Sequence, residues 1–203
     1  NKNKINLDQK FDERSAPLRL KDGHHCYHQL FESQPTDLPA NKNGFVTFGS
    51  FNTLAKLSTK TIKLWASVLK SIPDARLIIK RSPLKIEAAR NRILNQFKTE
   101  GVPNKRIFFS WDIKSTADHL KEYSNIDIAL DTFPYNGTTT TCDALWMGVP
   151  VVTLCGMPRS SRISSSILNQ IGLSELIAKS SREYIKISVT LANSMGQLGE
   201  MRE

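Results

Sequence analysis

The strongest constraint on this chain is an alternation. Short apolar, β-branched or aromatic runs, GFVTFGS (44–50), ARLIIK (75–80), RIFFS (106–110), IDIALD (126–131) and PVVTL (150–154), each give way to a segment of helical character. In STKTIKLWASVLKSI (58–72), Ile62, Trp65, Ala66 and Leu69 recur at helical spacing behind Ser58 as a cap. LKIEAARNRILNQFKTEG (84–101) is stopped by Gly101, STADHLKEY (115–123) is shorter, and TTTCDALWMG (139–148) ends at Gly148. Two more helices are predicted, one beginning near Ser160 and a final one from about Ser181. Strands that are apolar on both faces and joined by helices pair in parallel, because each crossover carries a helix back over the sheet. The expected fold is therefore α/β, a Rossmann-like doubly wound parallel sheet. Its ligand should lie beyond the carboxyl ends of the strands, where strand-to-helix loops gather.

The 203 residues, 39% of them hydrophobic, suffice for one well-filled core and are short for two. Runs such as VTLC and RLII fall far below the roughly 20 apolar residues that cross a bilayer, so a soluble, cytoplasmic protein with no membrane partner is expected. Cys26, Cys142 and Cys155 are odd in number and widely spaced, which does not describe a disulfide framework. The net charge of +9 is compatible with nucleic acid, an anionic surface or a phosphate-bearing ligand. Its carriers are scattered: Lys2, Lys4 and Lys10, then Lys80, Arg81 and Lys85, then Lys105 and Arg106. Without a dense basic helix interleaved with aromatics they are expected on solvated faces, and no nucleic-acid partner is expected. HHCYH (24–28) has the composition of a metal cluster but no zinc spacing, so no metal is expected. Neither end of the chain reads as finished, which predicts a piece of a longer polypeptide.

Chemistry should then follow the strands. In DIALDTFPYNGTTTTCDALWMGVPVVT (127–153), four threonines open the helix after a strand. A helix N-terminus offers free N–H groups and partial positive charge, which suits a phosphate or pyrophosphate. Gly137 lets the backbone come close, and the hydroxyls of Thr139, Thr140 and Thr141 would add donors. A reading without a ligand also fits, since Thr140-x-x-Asp143 has capping-box spacing. Asp143 is then free either to cap or to take ribose hydroxyls. Cys142 reads as a packed small hydrophobe rather than a nucleophile. In GSFNTLAKLS (49–58), Lys56 approaches a helix start, where an ammonium could neutralise a leaving phosphate. In SWDIKSTADHL (110–120), Lys114 and His119 follow a strand, and the histidine could stack on or bond to a base.

Three stretches taken together resemble a known family. VTFGSFNTLAKLSTKTIKLWASVLKSIPDARLIIK, YSNIDIALDTFPYNGTTTTCDALWMGVPVVTL and SRISSSILNQIGL are similar to the carboxyl-terminal catalytic lobe of the O-GlcNAc transferase and SPINDLY family. The resemblance covers roughly residues 20 to 195. It implies the C-terminal lobe of a GT-B glycosyltransferase, normally preceded by tetratricopeptide repeats and an amino-terminal lobe. In domain terms, 1–40 would be an interlobe arm, 41–195 the nucleotide-sugar-binding lobe and 196–203 a truncated helix.

The same resemblance implies roles for single positions. Lys56 is the pyrophosphate lysine, His119 lies near the base, Thr139 and Thr140 hold phosphate, and Asp143 binds ribose. Gly137 and Thr138 belong to the same donor loop, while Thr53, Lys114 and Arg162 are possible contacts. Thr53 and Thr138 stand where animal O-GlcNAc transferases carry glutamine and histidine, so the donor is open between UDP-GlcNAc, which is favoured, and GDP-fucose. The implied reaction is an inverting transfer to a protein Ser or Thr hydroxyl. No cofactor or metal is implied beyond the nucleotide sugar, since no Asp-x-Asp motif within an acidic cluster is present. The general base is not evident in this chain, and acceptor proteins would be met by the amino-terminal lobe and the repeats. The chain alone is expected to bind donor and not to turn over. Two other readings remain open: a non-catalytic nucleotide-binding module, and another GT-B enzyme such as a sugar-nucleotide epimerase.

Overall fold

The computed structural model describes residues 26–28, 34–112 and 115–202. Six strands form one parallel sheet: β1 (Thr47–Ser50), β2 (Arg76–Lys80), β3 (Ile107–Ser110), β4 (Ile128–Leu130), β5 (Val151–Leu154) and β6 (Ile177–Ala178). The crossovers carry α2 (Thr59–Ser71), α3 (Glu87–Thr99), α4 (Thr116–Lys121), α5 (Thr139–Trp146) and α6 (Ile163–Gln170). A short α1 (Pro39–Asn43) precedes them, and α7 (Ser181–Ala192) and α8 (Met195–Glu200) follow.

The strand order is β3-β2-β1-β4-β5-β6, so the winding reverses between β1 and β4. That reversal opens the crevice in which doubly wound folds bind ligands. The central strands β1, β4 and β5 are buried on both faces, and the strand residues sort by parity. Ile128, Leu130, Val152 and Leu154 enter the larger core with Trp65 of α2 and Tyr184 of α7. Ala129 and Val151 face Leu120 of α4 and Ala144 of α5. This is the period-2 consequence of a pleated strand with helices on either side.

Local signals explain most boundaries. Ser58 accepts from the Thr61 N–H at 3.1 Å and caps α2. The left-handed backbone at Gly101 (φ +83°) follows the end of α3, a conformation that a side chain disfavours. The segment expected as one helix over 84–101 is divided, with a 3-10 turn at Ser82–Lys85 before α3 begins at Glu87. Pro83 at the start of that turn fits the division, since proline suits a first turn and not an interior. Two elements, α1 and the two-residue β6, are too short to show a period in the sequence. Among the described residues no helix is long and apolar enough to cross a membrane.

The carboxyl end of β4 is pinned from beneath. The Trp65 indole and the Tyr184 hydroxyl both donate to the carbonyl of Asp131, at 3.3 and 3.2 Å. These two large core side chains thus satisfy a backbone acceptor at the place where the strand stops and the site begins.

Candidate functional site

The loop after β4 is organised by a buried carboxylate. Asp131 is 2% exposed, and its Oδ1 accepts from the Thr132 and Gly137 N–H groups at 2.8 and 2.7 Å. Its Oδ2 accepts from the Thr153 hydroxyl at 2.7 Å. Burial pushes this carboxyl above the usual aspartate range, and the Thr153, Ser164, Gly137 and Thr132 contacts oppose that shift. The loop is tied further by Thr132 Oγ1 to the Tyr135 carbonyl (2.6 Å) and Asn136 Nδ2 to the Thr132 carbonyl (2.9 Å).

This rigid loop delivers Gly137 and the threonines. The structure gives each threonine separate work. Thr138 lies at the cap position of α5 without a side-chain capping bond. Thr139 is exposed at the first helical position. Thr140 Oγ1 donates to Asn52 Oδ1 at 3.0 Å, joining this loop to the one after β1. Thr141 is 2% exposed and shares a hydrogen bond with Ser164 at 2.9 Å, so it is a core contact and not the surface donor expected. Among the described residues no hydrogen bond reaches the N–H groups of Thr138, Thr139 or Thr140. These are the open donors of a helix first turn. A Cβ on Gly137 would lie 2.5 Å from Thr141 Oγ1 and 2.7 Å from Thr140 Oγ1, so only glycine fits this approach.

Asp143 corrects the capping-box reading. The helix begins at Thr139, which places Thr140 inside its first turn and Asp143 in mid-helix, where neither residue caps. The carboxylate instead accepts from the Tyr27 hydroxyl at 2.7 Å and faces His119 Nε2 at 3.6 Å. The His119 ring lies beside Phe51 (5.9 Å) and edge-on to Tyr123 (5.8 Å). Tyr123 is buried, and its hydroxyl donates to the Thr140 carbonyl at 3.1 Å. Histidine, acid and threonine helix therefore form one connected wall.

Lys56 reaches the same loop from the segment after β1. It ends the 3-10 turn Leu54–Lys56, and its Nζ donates to the Asn136 carbonyl at 2.7 Å while lying 4.3 Å from the Tyr135 ring. Burial pushes its pKa below the ordinary lysine value, Asp131 pulls it up, and Arg81 lowers it further. A diphosphate beside the ammonium would raise that pKa again. Proton linkage then requires affinity to fall as pH rises through the free-state value of Lys56, with proton uptake on binding in that window. Calorimetry of UDP in two buffers of different ionisation enthalpy reads this uptake, and identical heats at alkaline pH would exclude Lys56 from the anion site.

Thr53 is exposed and immediately precedes the Lys56 turn. Arg162 is exposed at the start of α6, and Lys114 lies outside the described residues. Lys80 departs from the expected solvated face, for it is 0% exposed at the end of β2. Its Nζ approaches the His119 carbonyl at 3.5 Å and lies 5.5 Å from the Phe51 ring, and burial lowers its pKa. Arg81, next along, has a buried Nε with no hydrogen-bond partner among the described residues. Lys80 ends a strand and Arg81 follows it, the one signal that could have set them apart from other basic residues. Cys142 is half-buried with its thiol pushed up to about 11, first by burial and then by Asp143, which suits a packed hydrophobe. Among the described residues no group of three or more potential ligands is arranged for a metal ion.

A doubly wound lobe with an open helix N-terminus and a lysine at the winding reversal is the arrangement of an α/β protein that binds a phosphate-bearing ligand. Comparison with known proteins makes this specific. Residues 30–203 match glycosyl transferase family 41. The chain is 41% identical over 196 residues to the probable UDP-N-acetylglucosamine--peptide N-acetylglucosaminyltransferase SPINDLY of Arabidopsis thaliana, covering 96% of this chain and 21% of that protein. It is 33% identical over 157 residues to the UDP-N-acetylglucosamine--peptide N-acetylglucosaminyltransferase of Caenorhabditis elegans, covering 77% of this chain and 13% of that one. The structure of a mutant Thermobaculum terrenum O-GlcNAc transferase superimposes with a TM-score of 0.77 at 40% identity, over 83% of this chain and 32% of that one. The chain belongs to glycosyl transferase family 41. It spans about a fifth of the length of the SPINDLY relatives it matches.

Proposed function

We propose that this chain is the donor-binding lobe of a cytoplasmic protein O-glycosyltransferase that moves N-acetylglucosamine from UDP-GlcNAc to Ser or Thr hydroxyls. The observation that carries the reading is the open first turn of α5 beside the loop that Lys56 holds through the Asn136 carbonyl, with Gly137 packed too close to Thr140 and Thr141 for any side chain. The names of the relatives, which specify UDP-N-acetylglucosamine and a peptide acceptor, support the choice of donor.

In this reading the N–H groups of Thr138, Thr139 and Thr140 receive the diphosphate, and the Lys56 ammonium turns from the Asn136 carbonyl to the departing oxygen. An acceptor hydroxyl attacks the anomeric carbon from the opposite face, the bond to the diphosphate breaks, and negative charge grows where these donors converge. No metal is required for that stabilisation. His119 and Asp143 hold the nucleoside end, through the base and the ribose hydroxyls respectively. The hydroxyl's proton is taken by a group outside this chain, in an amino-terminal lobe that follows tetratricopeptide repeats and meets the acceptor protein. Alone, the chain binds donor without turnover.

Competitive titration with UDP, UDP-GlcNAc, GDP and GDP-fucose in the presence of chelator tests this. Preference for the uridine ligands without a divalent ion is expected. Preference for guanosine ligands would move the assignment to O-fucosyl transfer, and an absolute need for a divalent ion would overturn the metal-free mechanism. Asp143→Asn should weaken nucleotide binding with little change in stability, because Asp143 caps no helix. Unchanged affinity would remove the ribose role.

A further inference from the structure

Asp143 and Tyr27 are 116 positions apart, yet the Tyr27 hydroxyl donates to Asp143 Oδ1 at 2.7 Å. The Tyr27 ring also lies 6.2 Å from the Trp146 ring, three residues further along α5. Positions i and i+3 share a helix face, so one side chain from the amino-terminal segment spans both. The Asp143 side chain is only 11% exposed, and its second oxygen is the one near His119 Nε2. We propose that Tyr27 is a positioning residue for the nucleoside end of the donor site, setting the carboxylate plane of Asp143 and, through it, the placement of His119. This deepens the donor-binding reading and rests on it.

The physical argument concerns freedom. An aspartate in mid-helix keeps two soft side-chain torsions, and a broad terminal one is the less restrained. A charge-assisted O–H···O bond is roughly twice as strong as a neutral one and fixes one oxygen in space. The other oxygen is then held toward His119, and the carboxylate keeps unused lone pairs for ribose hydroxyls. The ring contact with Trp146 holds the tyrosine itself in register. The segment ahead of the lobe thereby contributes to nucleoside recognition while leaving the diphosphate cradle alone.

Tyr27→Phe removes the hydroxyl and keeps the ring on Trp146. Calorimetry on the full chain with UDP and with inorganic pyrophosphate separates the nucleoside from the diphosphate. UDP affinity is expected to fall about fivefold, the scale of one net hydrogen bond, with pyrophosphate affinity unchanged. A purely structural role would lower both together or lower only the melting temperature. An unchanged ratio of the two affinities overturns the proposal, as does tighter UDP binding, which would make Tyr27 a competitor for Asp143. A double-mutant cycle of Tyr27→Phe with His119→Ala should show coupling in UDP binding, and additivity would count against it. Failure of the unaltered chain to bind either ligand would sink the donor-site reading itself, an outcome distinct from an unchanged ratio.

Discussion

Asp131→Ala is expected to cost about 3 kcal/mol of folding stability, because it strands buried donors that have nowhere else to turn, each worth roughly 1–3 kcal/mol. The Thr132 and Gly137 N–H groups and the Thr153 hydroxyl all converge on this one carboxylate, and Thr132 and Thr153 are fully buried. Part of the cost is returned, since the variant no longer buries a charge. Asp131→Asn keeps an oxygen for the two N–H groups and should lose less, about 1 kcal/mol. The pH dependence distinguishes the two forms. Burial raises the folded-state pKa of Asp131, so the fold binds its proton more tightly than the unfolded chain does. The stability that this contributes is full below the ordinary aspartate value and is lost as pH rises through the folded value. Asn should flatten that slope. Urea unfolding across the acid range reads both effects, and a loss below 1 kcal/mol for the alanine variant would contradict the hub role assigned to this carboxylate.

If the proposed donor-site reading holds, Lys56→Met is expected to lower transferase turnover about 10²–10³-fold in the full-length protein, the range seen when one preorganised donor is removed from a developing negative charge. Ground-state affinity should fall much less, since the first turn of α5 keeps its own donors for the diphosphate. The distinction follows from geometry. The Lys56 ammonium is bonded to the Asn136 carbonyl, and on the proposed reading it would gain most when charge accumulates on the departing oxygen. Lys56→Arg should not rescue, because a planar guanidinium needs more room than an ammonium beside Tyr135 and Asn136. Steady-state kinetics give the split between kcat and KM, and turnover within threefold of the unaltered protein would refute this assignment.

The two predictions differ in how far each was legible beforehand. Lys56 was visible as a lysine after a strand and before a capped helix, and the residues around it carry the family resemblance. Asp131 was visible only as the last residue of a strand. Its role needs Thr153, 22 positions later on the neighbouring strand, and the loop that returns Gly137 to it. Lys80, expected on a solvated face, is buried for the same reason. Nothing local separates RLIIK from a strand ending in solvent, and its burial depends on α4 folding down over β2 with the His119 carbonyl at the lysine head.

What the chain determined by itself were the repeating patterns: short runs apolar on both faces, helical spacing between them, Ser58 before α2, and glycines after α3 and α5. Those patterns are local in energy, because a strand or helix buries its face according to its own residues. They suffice for a parallel doubly wound sheet and for the loops in which a ligand is expected. Only the tertiary structure decided how the threonines divide between Asn52, Ser164 and open N–H groups. It alone placed Asp143 against Tyr27 and His119 rather than at a cap. A hydrogen bond between residues 116 positions apart has no period to announce it, and depends on the packing of every element between them.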